Sequence, residues 1–309
     1  MFSYLTFADA IKKILIDVYY SGKTSKVRNY ETKEILNYGF IIKNPASNLF
    51  YNEIHGSKLQ YIAGELLWYF SGKNDVEFIS RYSNFWKNIC NLDGTCNSAY
   101  GNLIFKKYEN VTQYKWVIDA LTNDIYSRQA VMHFNLPKHQ YIENKDFVCT
   151  MYANFNIRND ENNIPKLNMS VFMRSNDVVF GLMNDVVFFT MLQIQVFKHL
   201  KDNVYPDLML GEYTHMSNSM HIYEKHYDKV KEMLNHAFEP MELPMIKKDL
   251  IDMEGVPNPE LINIIKSLDL IESLSNKNTI VKTNFLNQTV KPDDELYTFL
   301  LKNANLKNL

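Results

Sequence analysis

Three side chains that can do chemistry stand near one another in the middle of this sequence: Cys149, Arg174 and Asp185. A cysteine reacts as its thiolate, which forms more readily beside a positive charge. Arg174 could supply that charge if the fold places the two side chains together. A lone cysteine on an apolar strand is more often a plain core residue, and both interpretations of Cys149 stay open on these residues alone.

Cysteine proteases are one class with a nucleophilic cysteine, because a histidine can act as the partner base. The chain has eight histidines, but no local motif of that class surrounds Cys149. The other two cysteines, Cys90 and Cys96, have no metal-ligand spacing. We therefore expect no metal site, and the odd number of cysteines favours a reduced intracellular compartment.

The residues around Cys149 alternate in polarity with a period of two, which indicates a strand. One such run extends from 146 to 158 with Cys149 on its apolar face, 159 to 165 is a polar turn, and 167 to 173 alternates again. The pattern predicts a hairpin. Cys149 would lie near the start of its first strand and Arg174 at the end of its second.

The segment after Arg174 leads into a predicted helix. Residues 182 to 200 are apolar nearly all round, which is typical of a buried helix. Asp185 would lie in its first turn, where the helix dipole favours a carboxylate in any protein. The stretch from 211 to 223, which ends in His221 and Tyr223, is predicted to be rich in turns.

A second candidate carboxylate, Glu65, lies inside a predicted helix from 57 to 72. The residues three and four positions away are large and mostly aromatic: Tyr61, Ile62, Trp68 and Tyr69. Glu65 is then either a core residue with a hydrogen-bonded partner or a catalytic group, because burial raises the pKa of a carboxyl. Spacing alone does not decide between them.

Several cations are candidates for an anion site. Lys23, Lys26 and Arg28 share a predicted polar loop from 22 to 31, and Arg128 precedes a predicted strand from 130 to 135. Charges in a loop are usually solvated. Nothing local decides whether these cations grip an anion.

The bulk composition is that of an ordinary globular protein, with 46% hydrophobic and 22% charged residues and a net charge of −2. We expect neither direct nucleic-acid binding nor membrane binding, since the charge is nearly balanced and the apolar runs are short. Charged residues interrupt the N-terminal segment, which does not resemble a signal peptide. A cytoplasmic location is expected.

One main domain is predicted from the absence of repeats and linkers. It comprises residues 1–240, and residues 241–309 form a helical and irregular C-terminal extension packed on the same domain. Its first helix is expected over 7–20, with Thr6 as the N-cap and Gly22 as the stop.

Seven separated motifs occur in the order found in thymidylate synthases, and the chain resembles that family from about residue 5 to about residue 235. They are Glu65-Leu-Leu-Trp68, Phe85-Trp86, Tyr100-Gly101, Ser127-Arg128, Cys149, Arg174-Ser175-x-Asp177-Val178-x-x-Gly181 and His221-x-Tyr223. The resemblance implies an α+β fold with a large mixed β-sheet and surrounding helices. It also implies a homodimer formed sheet to sheet.

Three details resemble the phage-type deoxycytidylate hydroxymethylases within this superfamily. Val148-Cys149-Thr150 stands where thymidylate synthases usually have Pro-Cys-His, and Met173 replaces a glutamine. Asp185 occupies the place of the asparagine that reads the uracil edge. A protonated carboxylic acid can donate to N3 of cytosine and accept from its 4-amino group, and a carboxylate can accept from both N3–H and the 4-amino group of N3-protonated cytosine. Asp185 therefore favours cytosine.

The resemblance implies covalent catalysis with 5,10-methylenetetrahydrofolate as co-substrate and no metal. Cys149 would attack C6 of the pyrimidine of a nucleoside monophosphate, and C5 would then capture the one-carbon unit. Water would complete the reaction in a hydroxymethylase, and hydride in a synthase. Glu65 would handle protons through ordered water, and Tyr100 would lie near the nucleophile.

The remaining site residues are also implied by the resemblance. Arg28, Arg174 and Ser175 would hold the phosphate, together with Arg128 supplied across the homodimer interface. His221 and Tyr223 would bind the sugar 3′-hydroxyl. The folate side would include Trp86, Asp177 and Gly181.

The sequence also departs from the family pattern. Gln129 follows Arg128 where two adjacent arginines are common, and Met183-Asn184 replaces the usual Pro-Phe before the base reader. A methyltransferase of the same fold acting on dCMP or dUMP is the closest alternative. A non-catalytic nucleotide-binding protein on the same scaffold is a more distant one.

Overall fold

A computed structural model describes residues 1–27, 29–273 and 292–305. The chain divides into two compact units. The first comprises residues 1–57, 116–135 and 149–243, and the second comprises residues 58–115, 136–148 and 244–309. The predicted boundary between 240 and 241 stays a prediction.

The first unit is built on an eight-stranded mixed sheet. Its strands are β1 (Phe2–Tyr4), β2 (Lys23–Val27), β3 (Tyr30–Ile42), β7 (Val131–His133), β8 (Thr150–Asn159), β9 (Pro165–Met173), β10 (Asn176–Asp177) and β11 (Met209–Tyr223). The main order is β1-β3-β11-β9-β8-β7, with β2 paired to β3 and β10 paired to β11. Parallel pairs, such as β9 with β11, occur beside antiparallel ones, such as β8 with β9.

Helices pack on this sheet and bury its apolar face. The first unit contains α1 (Phe7–Ser21), most of α6 (Gln113–Asn123), α7 (Met183–Asn203) and α8 (Tyr227–Met233), besides the short strands β4 (Leu49–Tyr51) and β12 (Glu239–Met241). The α+β prediction, with a large mixed sheet and surrounding helices, is confirmed.

The first helix begins where its cap residues predict. The Thr6 hydroxyl accepts from the Asp9 amide at 3.2 Å, and the Asp9 carboxylate accepts from the Thr6 amide at 3.3 Å. This reciprocal pair satisfies two of the amides that a helix start leaves open. The residue after the helix is Gly22, as predicted.

The predicted hairpin is present, but its first strand starts one residue after Cys149. A register shift between Thr150 and Tyr152 places a β-bulge at the start of β8. Val148 and Thr150 are buried before the bulge, whereas Ala153 and Phe155 are buried after it. The bulge thus changes which residues face the core, and Cys149 is not on the apolar face that the alternation predicts.

The stretch from 211 to 223 is a strand rather than a series of turns. It belongs to β11, whose core face carries Tyr213, His215 and Ser217. Two of these three buried side chains are polar, so the alternation cannot be recognised from hydrophobicity. Gly211 resembles a turn residue in the sequence. In the structure it lies at a register irregularity between Leu210 and Tyr213, where glycine is common within strands.

The second unit is mainly helical. It contains α2 (Leu59–Phe70), α3 (Val76–Ile79), α4 (Phe85–Ile89), α5 (Tyr100–Phe105), α9 (Pro259–Ser273) and α10 (Glu295–Ala304), with a small hairpin of β5 (Lys107–Tyr108) and β6 (Val111–Thr112). The helix predicted over 57–72 is shorter, because Lys58 adopts a left-handed backbone at its start. Side chains of the C-terminal segment are bonded within this unit, as in the Arg81–Asp269 ion pair of 2.7 Å.

The most apolar helical stretch, 178–203, has the length and composition of a membrane-spanning helix. However, 72% of its most apolar window is buried inside the protein. Its glutamines contribute to that burial: Gln193 donates to the carbonyls of Leu167 and Glu212, each at 3.1 Å. These contacts are typical of the core helix of a globular protein.

Candidate active site

Cys149 and Arg174 face each other at one end of the hairpin. Cys149 immediately precedes β8 and Arg174 immediately follows β9, so antiparallel pairing brings them together. The Arg174 amide donates to the Cys149 carbonyl at 2.9 Å, and its Nη2 donates to the Cys149 sulfur at 3.4 Å. The proximity that the hairpin predicted is confirmed.

This pairing distinguishes Cys149 from the other cysteines. Cys149 is partly exposed, and the guanidinium of Arg174 lies beside its sulfur. A neighbouring positive charge is the setting in which reactive cysteines are generally found. Cys96 is buried, and burial, followed by the nearby charge of Asp146, raises the pKa of its thiol well above the ordinary value. Cys149 is therefore the cysteine whose surroundings suit a nucleophile.

Asp185 lies in the first turn of α7, as predicted. Burial of its carboxyl raises the pKa to about 7, although a hydrogen bond from Asn176 acts in the opposite direction. Nδ2 of Asn176 donates to Oδ2 of Asp185 at 2.8 Å. Near neutral pH the carboxyl is consequently divided between its acid and its carboxylate, and the acid can both donate and accept a hydrogen bond.

Gly181 contacts this pair directly. It belongs to a π-helical turn, Val178–Leu182, that leads into α7. A Cβ atom at Gly181 would lie 3.1 Å from Nδ2 of Asn176 and 3.3 Å from Oδ2 of Asp185. The absence of a side chain therefore leaves room for the Asn176–Asp185 hydrogen bond. Its predicted contact with folate stays a prediction.

His221 and Tyr223 lie two residues apart near the end of β11. Their rings meet edge to face with centroids 5.1 Å apart. His221 is buried and pairs in register with Asp177 of β10. The side chain of Asp177 caps the following turn, because its Oδ1 accepts from the amides of Val179 and Phe180 at 2.9 and 3.4 Å.

The predicted phosphate ligands are found in different settings. Ser175 is partly exposed and directly follows Arg174. Arg128 is exposed in the loop before β7, and Gln129 beside it is exposed too. Arg28 lies outside the described residues.

The second unit contains the other candidate carboxylate. Glu65 is 6% exposed on α2, and the Tyr61 hydroxyl one turn earlier donates to its Oε1 at 2.7 Å. Nε1 of Trp86 in turn donates to the Tyr61 hydroxyl at 3.1 Å. Both of the predicted options for Glu65 remain, since a bonded partner and a catalytic role are compatible.

Aromatic side chains dominate the rest of this unit. Tyr100 begins α5 and stacks on Tyr69 with ring centroids 5.2 Å apart. Trp86 is buried, but the neighbouring ring of Phe85 is 41% exposed. An exposed aromatic ring can stack on a flat heterocycle such as a pterin, and Phe85 is such a ring. The predicted contact of Trp86 with folate stays a prediction.

In the described part of the chain, no group of three or more His, Cys, Asp and Glu side chains is placed to hold a metal.

Two hydrogen-bond partners of the candidate carboxylates, Asn176 and Tyr61, were not among the site residues predicted from sequence. Tyr61 has a signal, since residues four apart on a helix are neighbours. For Asn176 the sequence offers no such signal beyond its position between the two predicted site residues Ser175 and Asp177.

A comparison with protein families agrees with the order of motifs and with the mixed sheet. The model of the family described as Thymidylate synthase matches residues 9–266. The chain belongs to the thymidylate synthase family. Members of the thymidylate synthase family transfer a one-carbon unit to a pyrimidine nucleotide and use 5,10-methylenetetrahydrofolate as co-substrate.

Individual relatives differ in the activities for which they are named. A deoxycytidylate 5-hydroxymethyltransferase of Enterobacteria phage T4 is 29% identical over 206 residues, which cover 62% of this chain and 76% of the relative. A deoxyuridylate hydroxymethyltransferase of Pseudomonas phage M6 is 27% identical over 178 residues, covering 57% of this chain and 48% of the relative.

A solved structure shows the same fold. Thermostable thymidylate synthase A from Bacillus subtilis superposes with a TM-score of 0.64 at 19% identity. The match covers 81% of this chain and 92% of that structure. The predicted thymidylate synthase-like fold is confirmed. Its membership of the family, rather than this superposition, makes the chain an enzyme of one-carbon transfer.

Proposed function

We propose that this enzyme transfers a one-carbon unit from 5,10-methylenetetrahydrofolate to C5 of dCMP, with addition of water to give 5-hydroxymethyl-dCMP. The observation that carries the proposal is Asp185, a carboxyl with a pKa raised to about 7 by burial. The deoxycytidylate hydroxymethyltransferase of phage T4 adds support as a relative.

Asp185 favours cytosine because its acid form has the complementary pattern of donor and acceptor. It donates to N3 and accepts from the 4-amino group, whereas uracil presents a donor at N3 and an acceptor at O4. Each buried polar group left unpaired costs about 1–3 kcal/mol. With uracil, the O4 acceptor and a carboxylate oxygen would face each other.

The proposed chemistry uses few groups of the protein. Cys149 adds through its sulfur to C6 of the base, which makes C5 nucleophilic. After the proton of C5 has been removed, the addition of water expels the sulfur from C6 and restores the base and the thiolate. 5,10-Methylenetetrahydrofolate supplies the one-carbon unit when it is bound. Glu65, oriented by Tyr61, moves protons through ordered water.

Substrate binding is proposed for residues that the chemistry does not use. Arg174, Ser175, Arg28 and a partner-supplied Arg128 would hold the phosphate. His221 and Tyr223 would bind the sugar hydroxyl. Trp86, Asp177 and Gly181 would be on the folate side, and Tyr100 near the nucleophile.

A sheet-to-sheet homodimer is also proposed, and the surface of the sheet supports it. Tyr152 is 41% exposed and stacks on Phe172, with ring centroids 5.7 Å apart and planes 4° apart. Phe172 is in register with Met216 on β11. A contiguous apolar row on a sheet face is typical of a protein interface. A cytoplasmic location is proposed on the same family resemblance.

The test is to incubate the enzyme with methylenetetrahydrofolate and dCMP, CMP or dUMP, and to weigh the nucleotide products. We expect a product from dCMP that is heavier by CH2O, with tetrahydrofolate released. A methyl product accompanied by dihydrofolate would overturn the hydroxymethylase assignment. Absence of turnover with all three nucleotides would favour a non-catalytic binding protein.

Hydroxymethylation or methylation of dUMP is the second candidate. It is favoured by the deoxyuridylate hydroxymethyltransferase of phage M6 and by a thymidylate synthase of Clostridium beijerinckii that is 29% identical over 185 residues. The same incubation separates the two candidates, since each nucleotide is assayed alone.

A further inference from the structure

Asn176 is a buried neighbour of the proposed base reader that the proposed reaction does not yet use. It lies on the short strand β10, and its side chain is 3% exposed. Its Nδ2 donates to Oδ2 of Asp185 at 2.8 Å. Among the described residues, no other side chain forms a hydrogen bond with the Asp185 carboxyl.

The orientation of the Asn176 amide follows from this contact. Its Oδ1 is buried without a hydrogen-bond partner, and an unsatisfied buried acceptor costs about 1–3 kcal/mol. The reversed orientation would place two oxygen atoms against each other, unless Asp185 carried its proton on Oδ2. The amide therefore keeps its hydrogen bond to Asp185 while its own oxygen remains without a donor.

Among the described residues, Tyr213 and the ring bonded to it, His215, bring no charge to this carboxyl. Tyr213 of β11 senses the charge of Asp185, but burial raises its pKa well above the ordinary value and keeps it neutral. Its hydroxyl is bonded to Nδ1 of His215 at 2.9 Å. Burial lowers the pKa of His215 to about 3, so this ring is neutral as well.

A donated N–H at Oδ2 has a consequence for the acid form of Asp185. A proton on Oδ2 would point at the amide donor, so the proton is held on Oδ1. Oδ2 then keeps a lone pair for a further donor. Oδ1 thus becomes the donor edge, and Oδ2 becomes the acceptor edge.

We propose that Asn176 is a positioning residue that fixes the donor and acceptor edges of Asp185 and thereby sets the preference for cytosine over uracil. The inference rests on the proposed function. Oδ1–H donates to N3 of the base, and the 4-amino group donates to Oδ2. Gly181 is part of the arrangement, because a Cβ there would press on both side chains.

The test replaces Asn176 with leucine, which is close in size and lacks the donor, and with serine, which retains a hydroxyl donor. kcat/KM is measured for dCMP and dUMP between pH 5.5 and 8.5. For N176L we expect the dCMP-to-dUMP ratio to fall by about tenfold or more. Loss of the N–H donor raises the pKa of Asp185, so the alkaline limb with dCMP moves to higher pH. N176S should lie between N176L and the wild type.

Asn184→Ala is the matched control, since Asn184 donates from the same turn to the Phe180 carbonyl at 2.8 Å and not to Asp185. Its substrate ratio should stay at the wild-type value. Equal losses for both substrates in N176L, with an unmoved pH limb, would show a merely structural role. Wild-type enzyme that prefers dUMP would instead overturn the proposed function, and N176L would still report on Asp185 through the ratio.

Discussion

At the scale of single residues, three sets of contacts surround the candidate reactive groups. Arg174 contacts the sulfur of Cys149 at 3.4 Å, and Trp86 connects through Tyr61 to Glu65. A third contact joins Asn176 to Asp185. Each places a hydrogen-bond donor on a group whose protonation state would matter for the proposed reaction, and such bonds are one way in which proteins shift the pKa of a side chain.

Replacement of Cys149 by alanine tests the nucleophile. Without the thiolate no covalent bond to C6 can form, so we expect release of tritium from C5 of dCMP to fall by about 10⁴-fold or more. Binding of dCMP, measured by calorimetry, is the control and should be retained. Tritium release at the wild-type rate would contradict the covalent mechanism.

The pH dependence tests Asp185. Its raised pKa means that the acid form predominates below about pH 7 and is lost above it. KM for dCMP should therefore rise as the pH increases through 7, by about tenfold per unit once the acid is the minor form. Measuring dUMP in parallel cancels the ionisation of the phosphate that the two nucleotides share.

Asp185→Asn provides the second half of this test. The amide does not titrate in this range, so the dependence of KM on pH should become flatter. Preference should move from dCMP toward dUMP by about 10- to 100-fold, as expected for one or two mismatched hydrogen bonds. Unchanged selectivity would rule out Asp185 as the base reader.

Tyr61→Phe tests whether Tyr61 orients Glu65. Loss of the hydroxyl removes a 2.7 Å hydrogen bond, and kcat should fall by about 10- to 100-fold with little change in KM for dCMP.

Trp86→Phe, made in the wild-type enzyme and in the Tyr61→Phe enzyme, tests whether Trp86 acts through Tyr61. If Trp86 acts through Tyr61, its effect disappears in the Tyr61→Phe enzyme. If it contacts folate, KM for the folate rises in both backgrounds.

At the scale of elements, helix α5 approaches α2 very closely at Gly101. A Cβ at this position would lie 1.6 Å from the Tyr69 carbonyl oxygen. No rotation of a side chain relieves a clash with the backbone. The approach places Tyr100 on Tyr69, so one glycine determines where the predicted site residue Tyr100 is held.

Gly101→Ala should therefore lower the free energy of unfolding by about 2–3 kcal/mol or more, measured with denaturant and followed by circular dichroism. Gly56→Ala is the control. Gly56 has a φ of +72° and open space around its Cβ position, so alanine there costs only about 1–2 kcal/mol of backbone strain. Equal effects of the two changes would contradict the close packing at Gly101.

At the scale of the whole molecule, the candidate residues divide between two compact units. Cys149, Arg174, Asp185 and His221 belong to the first, whereas Glu65, Trp86 and Tyr100 belong to the second. The C-terminal residues are grouped with the second unit rather than with the sheet. The proposed homodimer would add a further level, because the family resemblance assigns Arg128 to the partner's site.

Mixing two inactive homodimers tests this assignment. If Arg128 acts across the interface, a heterodimer of Arg128→Ala and Cys149→Ala subunits contains one site with both changes and one site with neither. Random exchange of subunits should then restore about a quarter of the wild-type activity. If Arg128 serves its own subunit, both sites of the heterodimer are damaged and activity stays low.

The sequence by itself determined the family and the fold class and predicted which side chains react, because motif order and residue type do not depend on coordinates. It also predicted that Cys149 meets Arg174, since a hairpin brings its two open ends together. Patterning failed where burial was polar, as at His215 and Ser217, and where a bulge at residues 150–152 changed the alternation.

Only the tertiary structure showed what surrounds each reactive group. The pKa of Asp185 depends on desolvation by packed neighbours, and its partner Asn176 comes from a strand that pairs in parallel with β11. Such contacts arise from the positions of elements in space. A sequence states which side chains are available, whereas protonation and orientation are set by the atoms packed around them.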